Sequence, residues 1–385
     1  MKRYDYLIVG GGLAADAAAK GIRELDATGS IALISNEPHP PYQRPNLSKK
    51  LWTGKPLEKI WCHTENTKAD LFLGRSVVDI DADKKRVLDE TGDSYTYGKL
   101  LLATGGNPIQ LPFGKDQILY FRYLDDYLKL KELSTKKKSF IIIGGGFIGS
   151  ELAAALHTTE AEITMIFPEK GIGARVFPEN LSIYITEYYR KKGVNIINEA
   201  SVSDIKEEQG GTAVYLDSGQ KLIADVVVAG IGIRPNTTLA QHIGLEIDNG
   251  IVVDRFLSTS HPDTYAAGDN ANFYHASLKR HIRVEHEDNA IAMGRQAGRN
   301  MAGALEAYDH IPMFYSDLFD LGYEAVGGLD SGLEVKTDWK KEYEKGVLYY
   351  KNKSEVEGVL LWNTWDAVDK ARQLLLSQQP ELTLT

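Results

Sequence analysis

The chain contains 385 residues, of which 43% are hydrophobic and 25% charged, and its formal net charge is −9 at pH 7. This length predicts two or three domains of roughly 100–200 residues each. The acidic balance argues against nucleic acid as the main partner. A single cysteine, Cys62, excludes an intrachain disulfide and any metal site built from several cysteines.

The N-terminal region begins with an apolar strand, Tyr4–Val9, almost directly after the first methionine. We therefore expect no targeting peptide and a cytoplasmic location, with which the low cysteine content agrees. No apolar run approaches the roughly 18 residues that a membrane-spanning helix needs, so we expect no membrane span.

One sequence pattern occurs twice. Residues 4–19 read YDYLIVGGGLAADAAA and residues 138–156 read KSFIIIGGGFIGSELAAAL, and Gly144 lies 134 positions after Gly10. Each copy is an apolar strand, a run of glycines and an alanine-rich helix, which is typical of a dinucleotide-binding βα unit. Two copies in this context predict two such units.

Further elements follow each copy in chain order. After the first copy we expect strands at Ile31–Ser35, Val77–Ile80, Arg86–Leu88 and Lys99–Ala103. After the second we expect strands at Ile163–Phe167, Val194–Asn198 and Asp225–Ala229, with a helix at Asn180–Lys192. From about Met313 we expect short strands at Glu324–Gly327, Gly346–Lys351 and Glu357–Leu361, then a helix at Thr364–Leu376 and a frayed end at Ser377–Thr385.

This alternation predicts an α/β fold with parallel sheets. We expect two Rossmann-like dinucleotide-binding domains, followed by a small α+β C-terminal domain. The first comprises residues 1–113 and 237–310, the second residues 114–236, and the C-terminal interface domain residues 311–385.

The first glycine turn has the spacing of the dinucleotide fingerprint at Gly10, Gly12 and Ala15. The first glycine permits the tight turn, the second lets a pyrophosphate approach the backbone, and the small third residue lets helix and strand pack closely. Glu37 lies 25 residues after Gly12 and is the candidate for the ribose-binding acid. The alternative is that Glu37 is a surface charge of the following loop.

The second turn has the same spacing at Gly144, Gly146 and Gly149, and Glu169 follows Gly146 by 23 residues. A carboxylate there would accept hydrogen bonds from both ribose hydroxyls and repel a 2′-phosphate, so we expect NADH to be preferred over NADPH. The neighbouring cations Lys170 and Arg175 could weaken that preference.

Several further segments resemble the ferredoxin-reductase-like flavoproteins and, within them, the apoptosis-inducing-factor family. The resemblance runs from about Tyr4 to Arg372. Its motifs are Pro41–Trp52, Ala103–Gly106, Gly144–Leu156, Phe167–Gly171, Ala229–Asn236, Tyr265–Asp269, Val284–Ala290 and Met313–Leu318. The resemblance implies a glutathione-reductase-like arrangement of the predicted domains, with FAD in the first domain and NAD(H) in the second.

The resemblance implies roles for individual residues. Lys49, Glu151 and His286 would be the catalytic residues, with Lys49 paired to Glu151 beside flavin N5; an ordinary salt bridge is the alternative. The implied cofactor-binding set is Gly10, Gly12, Ala15, Glu37, Arg44, Lys49, Val78, Ala103, Thr104, Gly105, Asp269, Glu285, His286 and Tyr315, together with Gly144, Gly146, Phe147, Ile148, Gly149, Glu151, Glu169, Arg175 and Gly232. Pro45 would pack on the flavin ring.

The chain also departs from that family. The resemblance would place a tryptophan at Tyr315 and a histidine at Glu287, and the family's long C-terminal insertion is missing. These departures argue against an apoptotic or nuclear role.

Electrons would have to leave directly from the flavin. Related disulfide reductases use a redox cysteine, but the corresponding stretch has Gln43, and we expect Cys62 to be a buried thiol. The basic stretch Lys279–Arg283 could dock an acidic iron–sulfur carrier or be a solubilising loop. We interpret His275 and His310 as surface or capping residues and expect no metal site.

Two functions fit these patterns. The first is an FAD-dependent NADH oxidoreductase that passes electrons to a ferredoxin- or rubredoxin-type carrier, or to a small acceptor such as a quinone. The second is a redox-sensing protein of the apoptosis-inducing-factor type, in which NADH forms a stable charge-transfer complex with the flavin and controls self-association. The self-associated form would be a homodimer.

Overall fold

The computed structural model describes residues 2–378. In chain order its strands are β1 (Lys2–Val9), β2 (Ile31–Ser35), β3 (Asp70–Leu73), β4 (Val77–Asp81), β5 (Arg86–Asp89), β6 (Ser94–Leu102), β7 (Gly106–Pro108), β8 (Ile118–Tyr120), β9 (Ser139–Ile143), β10 (Glu162–Ile166), β11 (Asn195–Ile197), β12 (Val202–Glu208), β13 (Gly211–Leu216), β14 (Lys221–Ala224), β15 (Val226–Ala229), β16 (Ile233–Pro235), β17 (Ile251–Val252), β18 (Thr264–Ala266), β19 (Ala271–His275), β20 (Arg280–Ile282), β21 (Met313–Leu318), β22 (Leu321–Gly327), β23 (Glu334–Lys341), β24 (Lys345–Asn352) and β25 (Glu355–Trp362).

The α-helices are α1 (Leu13–Arg23), α2 (Leu124–Lys136), α3 (Phe147–His157), α4 (Glu179–Lys191), α5 (Thr238–His242), α6 (Glu287–Met301) and α7 (Val368–Ser377). Short 3₁₀ helices occupy Arg44–Leu47, Leu57–Lys59 and Thr64–Thr67. Within the described residues, no helix is both long enough and apolar enough to cross a lipid bilayer.

The chain divides into two compact units. The first contains Met1–Arg44, Glu58–Asn107 and Arg234–Met313, and the second contains Pro45–Leu57, Pro108–Ile233 and Phe314–Thr385. The predicted three-domain boundaries stay a prediction.

The first unit is built on a sheet with the order β3-β2-β1-β6-β5-β4, and β18 pairs with β6. Strand β1 runs parallel to both of its neighbours, with Val9 opposite Ile34 on one side and Leu102 on the other. The carboxyl ends of these strands therefore lie side by side. Ligands of open α/β sheets bind at this edge.

Helices α1 and α6 of the first unit pack with their backbones in close contact. A Cβ atom at Gly294 would lie 2.2 Å from the Ala14 carbonyl oxygen, and one at Gly298 would lie 2.1 Å from that of Ala18. Only glycine fits at these positions. The helix that opens at the first glycine turn is thus held directly against α6.

The second unit contains a five-stranded parallel sheet with the order β11-β10-β9-β15-β8. Ile143 at the end of β9 lies opposite Ile166 on β10 and Ala229 on β15, so the second glycine turn also follows a central strand. An antiparallel sheet, β12-β13-β14, is inserted between β11 and β15. The C-terminal part is an antiparallel sheet, β21-β22-β25-β24-β23, with α7 packed on β22 and β25.

The elements that the sequence predicted are present, most of them within two residues of their expected bounds, but the start of the last helix was wrong. We expected it at Thr364, and α7 begins at Val368. Asn363 and Asp366 have φ values of +45° and +63°, in the left-handed region that interrupts a right-handed helix. Of the predicted frayed end, Ser377 is the last residue of α7, and residues 379–385 lie outside the described part of the chain.

Candidate functional site: two glycine turns and a buried ion pair

The first glycine turn brings together two segments that are distant in sequence. Gly10 has a φ of +132°, and a Cβ atom there would lie 2.0 Å from the Ala103 carbonyl oxygen. The Ala103 amide in turn donates to the Val9 carbonyl at 2.9 Å. The predicted Gly10 and Ala103–Gly105 motifs are therefore in direct contact, and glycine is required at position 10.

The second turn repeats this geometry. Gly144 has a φ of +117°, and a Cβ atom there would lie 2.5 Å from the Gly230 carbonyl oxygen. At the third fingerprint position the two turns differ. A Cβ at Gly149 would lie 2.0 Å from the Gly144 carbonyl oxygen, whereas the first turn accommodates Ala15 as a fully buried residue.

Both turns leave the space and the donors that a pyrophosphate needs. Gly12 and Gly146 are the N-caps of α1 and α3, and neither helix has a side-chain capping hydrogen bond. Among the described residues, no other atom lies within 4 Å of a Cβ built at either glycine. The amides at the start of each helix lie at the positive end of a helix dipole, and the residues present fit a dinucleotide pyrophosphate in each unit.

Glu37 follows β2 at the same edge and lies in a hydrogen-bonded network. Its Oε1 accepts from Arg44 at 2.7 Å and its Oε2 from the Tyr42 hydroxyl at 2.6 Å. Its side chain is 12% exposed. This burial and these partners argue against the alternative of a free surface charge. The sequence did not indicate Tyr42 as a partner.

Thr104 joins three segments of the first unit. Its hydroxyl donates to the Asn236 carbonyl at 2.7 Å and accepts from the Asn270 amide at 3.0 Å. Asn270 follows Asp269, and a Cβ at the preceding Gly268 would lie 2.9 Å from that of Ala14. The structure therefore brings the predicted Thr104 and Asp269 motifs to the start of α1.

The remaining predicted residues of the first unit are spread more widely. Glu285 is paired with Arg283 at 2.5 Å, and Arg283 also donates to the Asp269 carbonyl at 3.0 Å. His286 is the N-cap of α6. Val78 is 48% exposed on β4. Their cofactor contacts stay a prediction.

In the second unit, Glu169 lies at the expected edge of the sheet. Its Oε1 accepts a hydrogen bond from Arg175 Nε at 3.1 Å, and Arg175 Nη2 lies 3.0 Å from the same oxygen; the Arg175 side chain is 84% exposed. Gly230, two residues before Gly232, packs against Ile148 of α3. The predicted residues of this unit thus border one turn.

Lys49 and Glu151 form the ion pair that the resemblance implied. Lys49 Nζ lies 2.6 Å from Glu151 Oε1, and the two side chains are 9% and 3% exposed. Nζ also lies 5.2 Å from the centre of the Tyr315 ring, which gives a cation–π contact. Across the described residues, the Lys49 ammonium has no second hydrogen-bonded partner. Two of its donors are therefore available for a ligand.

Two serine hydroxyls complete this cluster, and the sequence did not indicate them. Ser48 donates to Glu151 Oε2 at 2.5 Å, and Ser316 donates to Glu151 Oε1 at 2.6 Å. Both lie inside segments that carry the family resemblance. No local pattern, however, shows that residues 48, 151 and 316 meet.

The structure also shows the surroundings of Cys62, His275 and His310. Cys62 is partly exposed rather than buried as expected, and the desolvation that it does undergo raises its pKa to about 12, so the thiol stays protonated near neutral pH. The interpretation of His275 as a surface residue was wrong. It is 2% exposed, and burial lowers its pKa to about 4. Its Nδ1 accepts from the Leu278 amide, whereas the half-buried His310 pairs with Asp288 at 2.6 Å.

The described part of the chain holds no group of three or more His, Cys, Asp or Glu side chains placed to bind a metal ion. In the same part of the chain, the basic stretch predicted for docking lies on the β19–β20 hairpin. Lys279, Arg280 and His281 are exposed there, and Arg283 is mostly buried.

Comparison with known families covers nearly the whole chain. Residues 4–294 match the model of the pyridine nucleotide-disulphide oxidoreductases. This chain belongs to that family. Residues 297–342 and 334–377 match the C-terminal domain model of the mitochondrion-associated apoptosis-inducing factor, so the predicted family resemblance is confirmed at both ends.

Individual relatives agree with the family assignment. The chain is 36% identical to apoptosis-inducing factor 1 of Dictyostelium discoideum, over 98% of this chain and 79% of that protein. It is 34% identical to monodehydroascorbate reductase 3 of Arabidopsis thaliana, over 99% and 94%. A solved covalent complex of putidaredoxin reductase with putidaredoxin superposes with a TM-score of 0.92 at 28% identity, over 99% and 94%.

This member of the pyridine nucleotide-disulphide oxidoreductase family is an FAD- and NAD(H)-dependent oxidoreductase with an α/β fold, as predicted. The chain has one cysteine and therefore cannot form an intrachain redox disulphide. The predicted enzyme class is therefore confirmed.

Proposed function

We propose that the protein oxidises NADH and delivers the electrons one at a time to an acidic iron–sulfur carrier. The observation that carries this proposal is the pair of matched glycine turns, each with an uncapped helix N-terminus, in a chain with a single protonated cysteine. Bound FAD supplies the hydride acceptor and can release its two electrons singly. The chain's own residues would bind and orient the two cofactors and stabilise the charge of the reduced flavin.

In the first unit, the α1 amides after Gly12 would hold the FAD pyrophosphate, and Gly10 and Ala15 would let the backbone approach it. Glu37 would accept from the ribose, because each of its oxygens retains lone pairs beyond those given to Arg44 and Tyr42. Thr104, Gly105, Asp269, Glu285 and His286 would line the rest of the cofactor path, with Val78 at its adenine end.

In the second unit, Gly144, Gly146 and Gly149 would hold the NAD pyrophosphate in the same way. Phe147, Ile148 and Gly232 would border the nicotinamide.

We propose a preference for NADH over NADPH. Glu169 Oε2 has no donor among residues 2–378, so it can accept a ribose hydroxyl. Arg175 occupies the other oxygen and is largely exposed, so it could also turn to a 2′-phosphate. We therefore expect the preference to be moderate.

Lys49 would stabilise the negative charge that develops on the reduced cofactor. Its ammonium is nearly buried and bonds Glu151 with one of its three donors. A cation fixed in a site with little water stabilises nearby charge more than a hydrated one does. Tyr315 faces the same ammonium and would contact the cofactor beside it.

The exposed cations of the β19–β20 hairpin would dock the carrier. Lys279, Arg280 and His281 project from a chain whose net charge is −9, so they provide a local positive patch on an acidic molecule. Such a patch attracts an acidic partner and speeds encounter. The putidaredoxin reductase relative, solved in complex with putidaredoxin, supports this class of partner.

The docking proposal is tested with the double variant Lys279→Glu/Arg280→Glu. Its turnover with an acidic [2Fe–2S] ferredoxin should fall at least about tenfold, while turnover with a small quinone stays the same. The control is Lys340→Glu/Lys341→Glu, which reverses the same charge on β23. Equal ferredoxin turnover in both double variants would contradict the docking proposal.

A second candidate function is redox sensing through self-association, as a homodimer formed when NADH reduces the flavin. The match of residues 297–377 to the apoptosis-inducing-factor C-terminal domain favours it. Size exclusion with and without NADH, followed by the long-wavelength absorbance in air, separates the two functions. A stable band with a larger apparent mass supports sensing, whereas prompt reoxidation at constant mass supports turnover.

We further propose that the protein acts in the cytoplasm. Fractionation of the source cells, followed by immunoblotting, tests this location.

A further inference from the structure

The Glu151 carboxylate is held by three donors from two separate segments of the second unit, one that contains Ser48 and Lys49 and one that contains Ser316. Lys49 and Ser316 bond Oε1 at 2.6 Å each, and Ser48 bonds Oε2 at 2.5 Å. Glu151, Ser48 and Ser316 are 4%, 5% and 1% exposed. A carboxylate buried this deeply is stable as an anion only when such donors replace its water.

The surroundings of the carboxylate keep the charge in one place. Tyr189 and Tyr323 lie nearby and are fully buried; burial raises the pKa of each well above its ordinary value, and the Glu151 charge adds to the effect. Both phenols therefore stay neutral. The cluster holds one anion and one cation, Glu151 and Lys49.

Ser316 reaches Glu151 because strand β21 lies along helix α3. Phe314 packs on Phe147 of α3 with 5.6 Å between ring centres, and Phe319 packs on His157 with 5.3 Å. Ser316 lies between these contacts on the strand, and Glu151 lies between them on the helix. The C-terminal strand is thus fixed on the helix that opens at the second glycine turn.

The neighbouring residue on β21 contacts the cation of the pair. Tyr315 presents its ring to Lys49 Nζ, while Ser316 donates to the Glu151 carboxylate. One strand therefore contacts both members of the ion pair.

We infer that Ser48 and Ser316 are positioning residues for electron transfer from NADH, which fix the Glu151 carboxylate and, through it, the Lys49 ammonium. This inference rests on the proposed role of Lys49 at the flavin. Through Ser316, the C-terminal sheet becomes part of the catalytic apparatus rather than only an interface domain. Loss of either hydroxyl leaves a buried carboxylate oxygen with one donor fewer, and Lys49 is then less firmly held.

The first measurement is the anaerobic reduction of the flavin by NADH in a stopped-flow instrument. Ser316→Ala should lower the limiting rate about tenfold, and Ser48→Ala/Ser316→Ala should lower it further, with little change in the apparent Kd of NADH. Ser316→Thr keeps the hydroxyl and should restore most of the rate. Ser134→Ala, which removes a buried hydroxyl bonded to a backbone carbonyl in α2, is the control.

The second measurement determines how accessible the Lys49 ammonium is to a reagent, and it does not require turnover. The full chain is treated with trace acetic anhydride, and acetylation of Lys49 is compared with that of the exposed Lys336 by mass spectrometry. The serine-to-alanine variants should raise the relative acetylation of Lys49 several-fold, whereas Ser134→Ala should not.

An unchanged limiting rate in the double variant, or unchanged or lower Lys49 acetylation, would overturn the inference. A parallel fall in rate and rise in Kd, without rescue by threonine, would also overturn it, since that pattern belongs to a merely structural role. If NADH fails to reduce the flavin of the unmodified protein, the proposed function fails instead, and the acetylation result still decides whether the serines position Lys49.

Discussion

Glu169 is the residue whose chemistry decides between the two pyridine nucleotides. Arg175 Nε donates to its Oε1 and Nη2 lies 3.0 Å from the same oxygen, whereas no residue among 2–378 donates to Oε2. The carboxylate can thus accept from a ribose while the arginine moves freely. These contacts give the proposed preference for NADH a physical basis and set a limit to its size.

Glu169→Ala should raise the KM for NADH about tenfold and narrow the difference between NADH and NADPH, because a charge-assisted hydrogen bond and a repulsive charge are lost together. Steady-state kcat/KM values with both nucleotides measure this. The control is Glu162→Ala, which removes an exposed carboxylate at the start of β10, the strand that precedes Glu169. An unchanged ratio would show that Glu169 is not the ribose acid.

His275 makes stability depend on pH. Burial lowers its pKa from 6.5 to about 4, so the folded state disfavours the charged form. Its contribution to stability is fully present above pH 6.5 and is lost as the pH falls toward 4. His275→Asn, which keeps an acceptor for the Leu278 amide, should weaken this acid dependence by up to about 3 kcal/mol. Urea unfolding of the unmodified protein and of His275→Asn at pH 7 and pH 4.5 measures the free energy of unfolding. If both proteins lose the same free energy between the two pH values, His275 is not the cause of the acid dependence.

Cys62 should react slowly with thiol reagents. With its pKa raised by burial from 9.0 to about 12, the thiolate fraction at pH 8 falls by about a thousandfold. Iodoacetamide labelling of the native and urea-unfolded chain at pH 8 measures the ratio. Cys62→Ser should retain NADH-dependent turnover, and its loss would return the cysteine to the list of catalytic candidates.

At the scale of secondary-structure elements, the two strand–turn–helix units are nearly the same structure used twice. Each needs a left-handed glycine where the turn meets a second strand end, and each leaves its helix N-terminus uncapped. The difference lies in the third position, where Ala15 fits and Gly149 cannot be replaced without a clash. One fingerprint thus tolerates different residues according to how closely its own turn approaches the helix.

Gly146→Ala and Gly12→Ala form a matched pair that assigns each turn to its cofactor. Neither new Cβ meets a described atom, and both glycines have negative φ, so thermal stability should change little. Gly146→Ala should raise the KM for NADH more than about tenfold and leave the FAD content unchanged. Gly12→Ala should lower the FAD content, which is measured from the flavin absorbance per chain. The reverse pattern would exchange the two assignments.

The turns were predictable because their signal is local: strand, glycines and helix follow one another within about 16 residues. The Lys49–Glu151 pair was predictable only through the family resemblance. Ser48 and Ser316 were not, because their meeting at Glu151 depends on how β21 lies along α3. The start of α7 was missed because the left-handed residues Asn363 and Asp366 leave no periodic signal.

On the scale of the whole molecule, charge and cysteine content restrict the routes by which electrons can leave. A net charge of −9 with a local basic hairpin favours an acidic carrier at that hairpin. The protonated Cys62 leaves no dithiol route. Flavin-to-carrier transfer is then the route that the chain's chemistry supports, and it should weaken as salt screens the hairpin.

NADH should reduce a flavin held at the first glycine turn, and anaerobic stopped-flow mixing measures this reaction. The FAD-loaded protein is mixed with NADH and, separately, with NADPH, and the flavin absorbance is followed. We expect complete bleaching by NADH at about 10 s⁻¹ or faster and slower bleaching by NADPH. Flavin that stays oxidised in the presence of excess NADH would contradict this expectation.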